Sequence, residues 1–394
     1  MPKTVIKEID NTGVRIEDGA DTVYIIAEKA SGASMAKPVL CTRLSKLTSK
    51  ESELASTGLG YKLAKSLLTR GIHVLYQEFA SDGESGITFL EEGADLTKAI
   101  EDQNLYDIRF IVSGVPLTDA QQLRILEIAS VRGDCVALLD HPEDCESEKQ
   151  VEEYFSSLVG TAVPPDSAIN WSNAVAVTPW YSDSEIGDSV PASFGYLIAY
   201  AESVRLNPSW FAVAGAFRGV IPTLVGVNVN YTSAEVEALQ CVPFGGSSSA
   251  EPTLSFAINP ISYVRPVGYV INGNRTLLVN EGATSEDVVL KATSFLNIRN
   301  LVSALHKRMF EAANRYRFEQ NDDLLWVNFT SEIIPLLEQM KSDRGLNNYT
   351  ITRLATDKKA QVRGRVTISP IEAVEDFDLE IELSDSTDEP VVIA

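Results

Sequence analysis

Residues 108–140 read IRFIVSGVPLTDAQQLRILEIASVRGDCVALLD, and this stretch decides the fold. Ile108 to Val112 is an apolar run with the length of a buried strand. Thr118-Asp119 then caps a helix whose apolar stripe is Leu123, Leu126, Ile128 and Ala129. Gly133 ends that helix, and Cys135-Val136-Ala137-Leu138-Leu139 is a second strand. The same alternation extends on both sides. Thr22 to Ala27 reads as a buried strand. Tyr61 to Leu68 has helical spacing, Gly71 stops it, and Ile72 to Tyr76 is the strand that follows. Ala174 to Val177 is a further strand. Strands alternating with amphipathic helices specify a layered α/β structure up to about residue 240.

Outside this block the chain changes character. Three stretches read as surface loops: the charged run Asp140 to Glu153, the acidic run Ser182 to Ser189, and Phe244-Gly245-Gly246-Ser247-Ser248-Ser249. The last has linker composition and marks a domain boundary. Beyond it come two short strands, Gly268 to Ile271 and Arg275 to Val279. A long helix follows from about Thr293 to Phe318, with Phe295, Ile298, Val302, Leu305 and Met309 on one stripe. A second helix is expected from Ser331 to about Lys341, then strands at Tyr349 to Leu354 and Gln361 to Ser369. Phe377, Leu379, Ile381 and Leu383 alternate with Asp378, Glu380 and Glu382, the pattern of a half-buried sheet-edge strand. The two ends are short apolar strands, Val5, Ile6 and Ile9 at one and Val391, Val392 and Ile393 at the other. Neither has enough apolar neighbours to bury it locally. Strands of this kind add to an open sheet edge on a neighbour.

The 394 residues carry 33 Lys and Arg against 55 Asp and Glu, a net charge of −22. So acidic a chain is a poor partner for nucleic acid or anionic lipid. No apolar run has the length of a membrane span, and the first ten residues carry acids where a signal peptide needs an apolar stretch. The expectation is a cytosolic product, or one that leaves without a signal. Charge is segregated toward the C-terminus. Ile371 to Ala394 holds nine acids and no base, whereas the long helix presents Arg299, Lys307, Arg308, Arg315 and Arg317 against Glu311 alone.

Chemistry is sparse. Cys41, Cys135, Cys145 and Cys241 have no paired spacing, and His73, His141 and His306 make no zinc motif. His73 reads as structural and His306 as solvated. Asp140-His141 follows a strand, where catalytic groups are often placed, but no Gly-x-Ser-x-Gly elbow accompanies it and a plain loop is the better reading. Gly58-Leu59-Gly60 opens a helix without a third glycine or a Walker lysine. Glu91-Glu92 and Asp322-Asp323 read as solvated turns or helix caps. Trp171, Trp180, Tyr181, Trp210 and Phe211 form either a pocket or ordinary core. No cofactor or metal is expected.

The chain resembles the tail sheath proteins of contractile phage tails and related contractile injection systems. The resemblance runs in order through Asn11 to Ile16 with the Thr22 strand, Ala64 to Phe79, Leu117 to Asp140, and Ala176 to Trp180. It continues through Val190-Pro191-Ala192-Ser193, Ala212 to Val220, Asn274-Arg275-Thr276-Leu277 with Phe295 to Leu301, and Phe318 to Trp326. Ile221-Pro222-Thr223 and Ile271-Asn272-Gly273 depart from the family pattern. The resemblance implies an α/β fold with an outer α/β domain at 21–250, a C-terminal α+β core domain at 251–386, and strand arms at 1–20 and 387–394. It implies six-fold rings stacked helically around a tail tube, with baseplate and terminator as further partners. No nucleic acid and no membrane insertion are implied, and the setting is a virion tail assembled in the host cytoplasm. Within that frame the charge asymmetry assigns tube contact to Arg299, Lys307, Arg308 and Arg315. The competing reading is a cytosolic two-domain enzyme using the Trp171 to Trp210 cluster; a sheath-like terminator is a third.

Overall fold

The computed structural model describes residues 21–29, 34–35, 37–48, 58–80, 95–161, 169–244, 254–282, 284, 288–355 and 361–373. The expected arms at 1–20 and 387–394 and the strand 377–383 lie outside the described residues, as do most of the Gly-Ser linker and Glu91-Glu92.

One mixed sheet organises the molecule. Its strands are β1 (Thr22–Lys29), β2 (Val39–Cys41), β3 (His73–Ala80), β4 (Phe110–Ser113), β5 (Val136–Leu139), β6 (Ala174–Thr178), β7 (Asn259–Val264) and β8 (Gly268–Ile271), in the spatial order β8-β7-β6-β5-β4-β1-β3-β2. The six strands from β7 to β3 run parallel, and an antiparallel strand closes each side. Parallel strands need crossovers, and helices supply most of them here: α1 (Leu59–Thr69), α2 (Asp95–Glu101), α3 (Asp119–Arg132) and α4 (Glu148–Gly160). The α3 boundaries follow from its ends. Thr118 and Gln121 form a capping box, and Gly133 takes the left-handed conformation that stops the helix.

Alternate residues of each strand face opposite sides, so the sheet carries a core on each face. Val23, Ile25, Val112, Leu138 and Val175 pack with α1 and with α5 (Ala192–Val204). Tyr24, Ile26, Ile111, Ala137 and Ala176 pack with α2, α3 and α4. Helix α5 is buried on nearly every side, as its almost wholly apolar sequence requires.

The sheet crosses the division expected at 250/251, because β7 pairs with β6 through Asn259 and Pro260. A separate packing unit begins later. Helix α6 (Ser233–Gln240) precedes β7; α7 (Leu296–Arg315), α8 (Asp323–Ser342), β9 (Leu346–Leu354) and β10 (Arg363–Pro370) enclose a third core of Leu301, Leu305, Ile333, Leu337, Met340 and Leu346.

Three local expectations are corrected. Arg275 to Val279 is not a strand, because the Asn259 side chain bonds both the Arg275 N–H and its carbonyl, taking the place of a partner strand. Ser182 to Ser189 is not a plain loop. Tyr181–Asp183 and Gly187–Val190 form a small antiparallel sheet with Leu224–Val227, and the buried Asp183 accepts from Glu185 N, Ile186 N, Tyr181 Oη and Thr223 Oγ1. The charged run Asp140 to Glu153 turns helical at Glu148, where Ser147 caps α4.

Candidate functional site

The C-terminal unit holds the most exposed structure. Asp322 caps α8 by accepting from Leu325 N at 2.9 Å. The hairpin β9–β10 then turns Tyr349, Ile351, Val366 and Ile368 toward α8 and the third core. Its other face, with Thr350, Thr352, Thr367 and Ser369, is exposed. Trp326 lies so close over Gly364 that a Cβ there would sit 2.8 Å from the indole, which fixes the hairpin to the start of α8. Arg353 adds an ion pair to Asp323 at 2.8 Å. Among the described residues the sheet has two strands only, so β9 and β10 each present one unpaired backbone edge. Two strands alone are marginal in water, and here the third core supports one face while both edges are open among the described residues.

The basic residues expected to face a tube divide. Arg299 is not on an exposed face; it is buried, donates to Gly133 O, and burial pushes its guanidinium down in pKa. Its place in the first turn of α7 turns it into the seam with the sheet. Lys307 pairs with Asp107, Arg308 with Glu311 at 3.3 Å, and Arg315, the most exposed of them, with Glu332.

That seam is a polar layer the sequence did not reveal. Arg109, 2 % exposed, donates to Asp21 at 2.8 Å and to the Asn300 carbonyl at 3.2 Å, and Tyr200 Oη donates to the other Asp21 oxygen at 2.7 Å. Arg132 forks onto Asp134 with two contacts of 2.9 Å and also bonds the carbonyls of Ile100 and Tyr106. Arg109 and Arg299 tie the leading ends of the parallel strands to the first turns of α7, and Arg132 braces the segments before β4 and β5 beside them. The available signal was weak: isolated arginines beside otherwise apolar strands, at Arg109 and Arg132.

The chemical candidates resolve into packing. Gly60 and Gly114 bring the start of α1 onto the end of β4, and a Cβ on Gly114 would lie 2.4 Å from Gly60 Cα. The helix start therefore fills the space a phosphate would need. Asp140 accepts from Ser193 Oγ at 2.7 Å and Ser193 N at 3.2 Å, which caps α5; burial raises its carboxyl to about 7. Buried His141 has Nε2 2.9 Å from Thr178 Oγ1 and Nδ1 2.8 Å from the Pro142 carbonyl, and burial lowers it to about 4. Ser193 and His141 thus have separate partners and make no triad. The aromatic cluster is also dispersed: Trp171 lies in the second core, Tyr181 in the first and Trp210 in the third, while Trp180 Nε1 donates to the His141 carbonyl at 2.8 Å. Among the described residues no group of His, Cys, Asp or Glu is arranged to hold a metal, the four cysteines are free, and no helix is long and apolar enough to cross a membrane. His306 is exposed, as expected, and His73 is half-buried in β3.

No protein-family model matches the chain. The tail sheath protein of Vibrio phage KVP40 is 24 % identical over 261 residues, which span 62 % of this chain. The match covers 35 % of that protein, so the chain spans about a third of the length of the curated relative it matches. The sheath complex of the PVC extracellular contractile injection system, in its contracted state, superimposes with a TM-score of 0.65 at 15 % identity over 97 % of both chains. The chain has the fold of the contractile sheath proteins. The sheath of the anti-feeding prophage in its contracted state shares it at TM-score 0.60 and 15 % identity, over 97 % of this chain and 98 % of that one. A chain in the baseplate of the anti-feeding prophage shares it at 0.61 and 14 %, over 98 % and 99 %. The sheath fold thus extends through the mixed sheet and the hairpin unit alike.

Proposed function

We propose that the chain is the structural subunit of a contractile tail sheath, in a phage or a contractile injection system, that polymerises as stacked six-fold rings around a tail tube. The observation that carries this reading is the two-stranded β9–β10 sheet, both of whose edges are open among the described residues, on a chain of sheath fold. Open edges accept strands, and the chain has apolar strands to give: Val5, Ile6 and Ile9 in the arm 1–20, and Val391, Val392 and Ile393 in the arm 387–394. Each arm completes the sheet of a neighbour, with Phe377, Leu379, Ile381 and Leu383 presenting the apolar face of an accepting edge. Each hydrogen bond so made contributes about 0.5–1.5 kcal/mol, multiplied over many subunits.

In this arrangement the mixed sheet faces outward and the hairpin unit faces the tube, with Lys307, Arg308 and Arg315 the tube-facing bases. Baseplate and terminator proteins meet the ends of the polymer. Contraction is a rigid-body repacking of subunits that remain linked through their arms, driven by surface buried afterwards and needing no nucleotide or cofactor. The role is structural, in a tail assembled in the host cytoplasm.

Negative-stain electron microscopy of the purified chain, with and without tail tubes, tests this. Long striated cylinders of uniform width are expected. Removal of residues 388–394 leaves a folded, soluble subunit that forms none; normal cylinders from that deletion would refute the arm assignment. Neutralising Lys307, Arg308 and Arg315 together weakens assembly on tubes, and undiminished assembly removes them from the tube contact.

A further inference from the structure

A groove of 1280 Å³ opens between the Gly215–Arg218 turn, α6, β7 and the last described residues, Ile371, Glu372 and Ala373. It exceeds the volume of an ordinary small-molecule site and has the breadth to take a peptide segment. Two of its lining residues are Arg218 and Arg344. Arg218 lies with its guanidinium 5.1 Å over the Phe211 ring and spends its Nε on the Ala212 carbonyl at 2.8 Å. Neither arginine has a carboxylate partner among the described residues, although Glu237 and Glu372 line the same groove. Both cations line the one groove, and burial, with the charge of Arg344 second, holds the Arg218 guanidinium below its ordinary pKa. A groove lined by two arginines that have no carboxylate partner among the described residues is a site for an anion. Its rim carries exposed aromatic surface as well, at Phe217 and Tyr263.

The chain itself supplies a matching segment. Beyond Ala373, which forms part of the groove wall, the sequence continues VEDFDLEIEL: Glu375, Asp376, Asp378, Glu380 and Glu382 with no base, alternating with Phe377, Leu379 and Ile381. An extended chain advances roughly 3.3–3.6 Å per residue, so the first acids are delivered within a few residues of the wall. A strand shows opposite faces to opposite walls, which lets the acids meet the arginines while the apolar residues cover the aromatics. We infer that the Arg218–Arg344 groove is the seat of the chain's own acidic segment Glu375–Glu382, held by guanidinium–carboxylate pairs and by apolar cover over Phe217 and Tyr263. Arg rather than Lys suits the role, because its planar fork binds carboxylates through two donors. The seat belongs to the unassembled subunit: Phe377, Leu379 and Ile381 leave it when, on the reading proposed above, they form the apolar face of the accepting edge.

Hydrogen exchange read by mass spectrometry on the full-length, unassembled chain tests the assignment. Amides 375–382 should exchange about tenfold more slowly in the wild type than in Arg218→Gln/Arg344→Gln, with β9 and β10 unchanged. Arg344→Gln alone, at an exposed position, guards against a folding defect and should give part of the effect. Raised salt should weaken the protection. Fast exchange in the wild type, or protection indifferent to both substitutions, overturns the proposal. Protection that grows with protein concentration assigns the segment to a second copy and overturns the seat within one chain. Cylinder formation by microscopy is a separate readout, so loss of the seat and loss of the sheath reading are told apart.

Discussion

His141 shows what a single buried residue does here. Its ring joins the end of β5 to Thr178 at the end of β6, and its carbonyl accepts from Trp180. Burial lowers its pKa from the ordinary 6.5 to about 4, with Asp144 partly opposing. The unfolded chain therefore binds a proton more readily than the native one between those values. The stabilisation is present above about pH 6.5 and is lost as pH falls toward 4. From this group alone, moving from pH 7 to pH 5 should cost about 2 kcal/mol. Asp140, whose carboxyl burial raises to about 7, works the other way over the same range. Chemical denaturation should therefore show His141→Gln losing about 2 kcal/mol less than wild type between pH 7 and pH 5, and an equal change in both would remove His141 as a source. The sequence marked Asp140-His141 only as residues after a strand. Its capping and bridging roles depend on Ser193 and Thr178, which are remote in the chain.

At the scale of elements, legibility followed amphipathic pattern and end signals. Helix α3 was readable at both ends because Thr118 caps it and Gly133 stops it. Helix α8 was read short at its start. The run Leu324 to Phe329 leaves Leu324 and Val327 exposed and so breaks the stripe, and the reliable signal was the cap at Asp322. Its lower half supports the hairpin through fully buried Leu337. Leu337→Ala should cost about 2–5 kcal/mol in the third core. Hydrogen exchange should then accelerate in β9 and β10 while β1 and β4 keep their protection; equal acceleration in all four would mean one indivisible core. The hairpin itself was legible as two strands, but its open edges were not, because edge status belongs to pairing and not to composition.

Across the whole molecule, two bodies of packing are joined by buried charge. Arg109 meets Asp21, beside β1, and the Asn300 carbonyl, on α7, so one side chain spans both. Arg109→Met removes the cation and leaves the Asp21 carboxylate facing Tyr200 alone. A loss of about 3–5 kcal/mol is expected from the orphaned charge. Differential scanning calorimetry should resolve two transitions in place of one if this residue couples the bodies; a single lowered transition would confine its role to local packing. The sequence exposed the two bodies through their different patterns, yet set their division too early, at a Gly-Ser linker. Beyond that linker β7 returns to the sheet through Asn259 and Pro260, a pairing no local pattern announces.

The seam under α7 also has a mechanical consequence. A helix of 20 residues is about 30 Å long, and it is held along that length, by Arg109 and Arg299 at its first turns, by Lys307 on Asp107 in its middle and by Asn314 on Asn104 near its end. It is splinted to the sheet body and turns with it. A tilt of the sheet by about 10° would sweep the far end, near Arg315, through roughly 5 Å, close to the pitch of one helical turn. A small rotation in the larger body is thereby geared into a displacement of the size that one row of packed side chains needs to pass another.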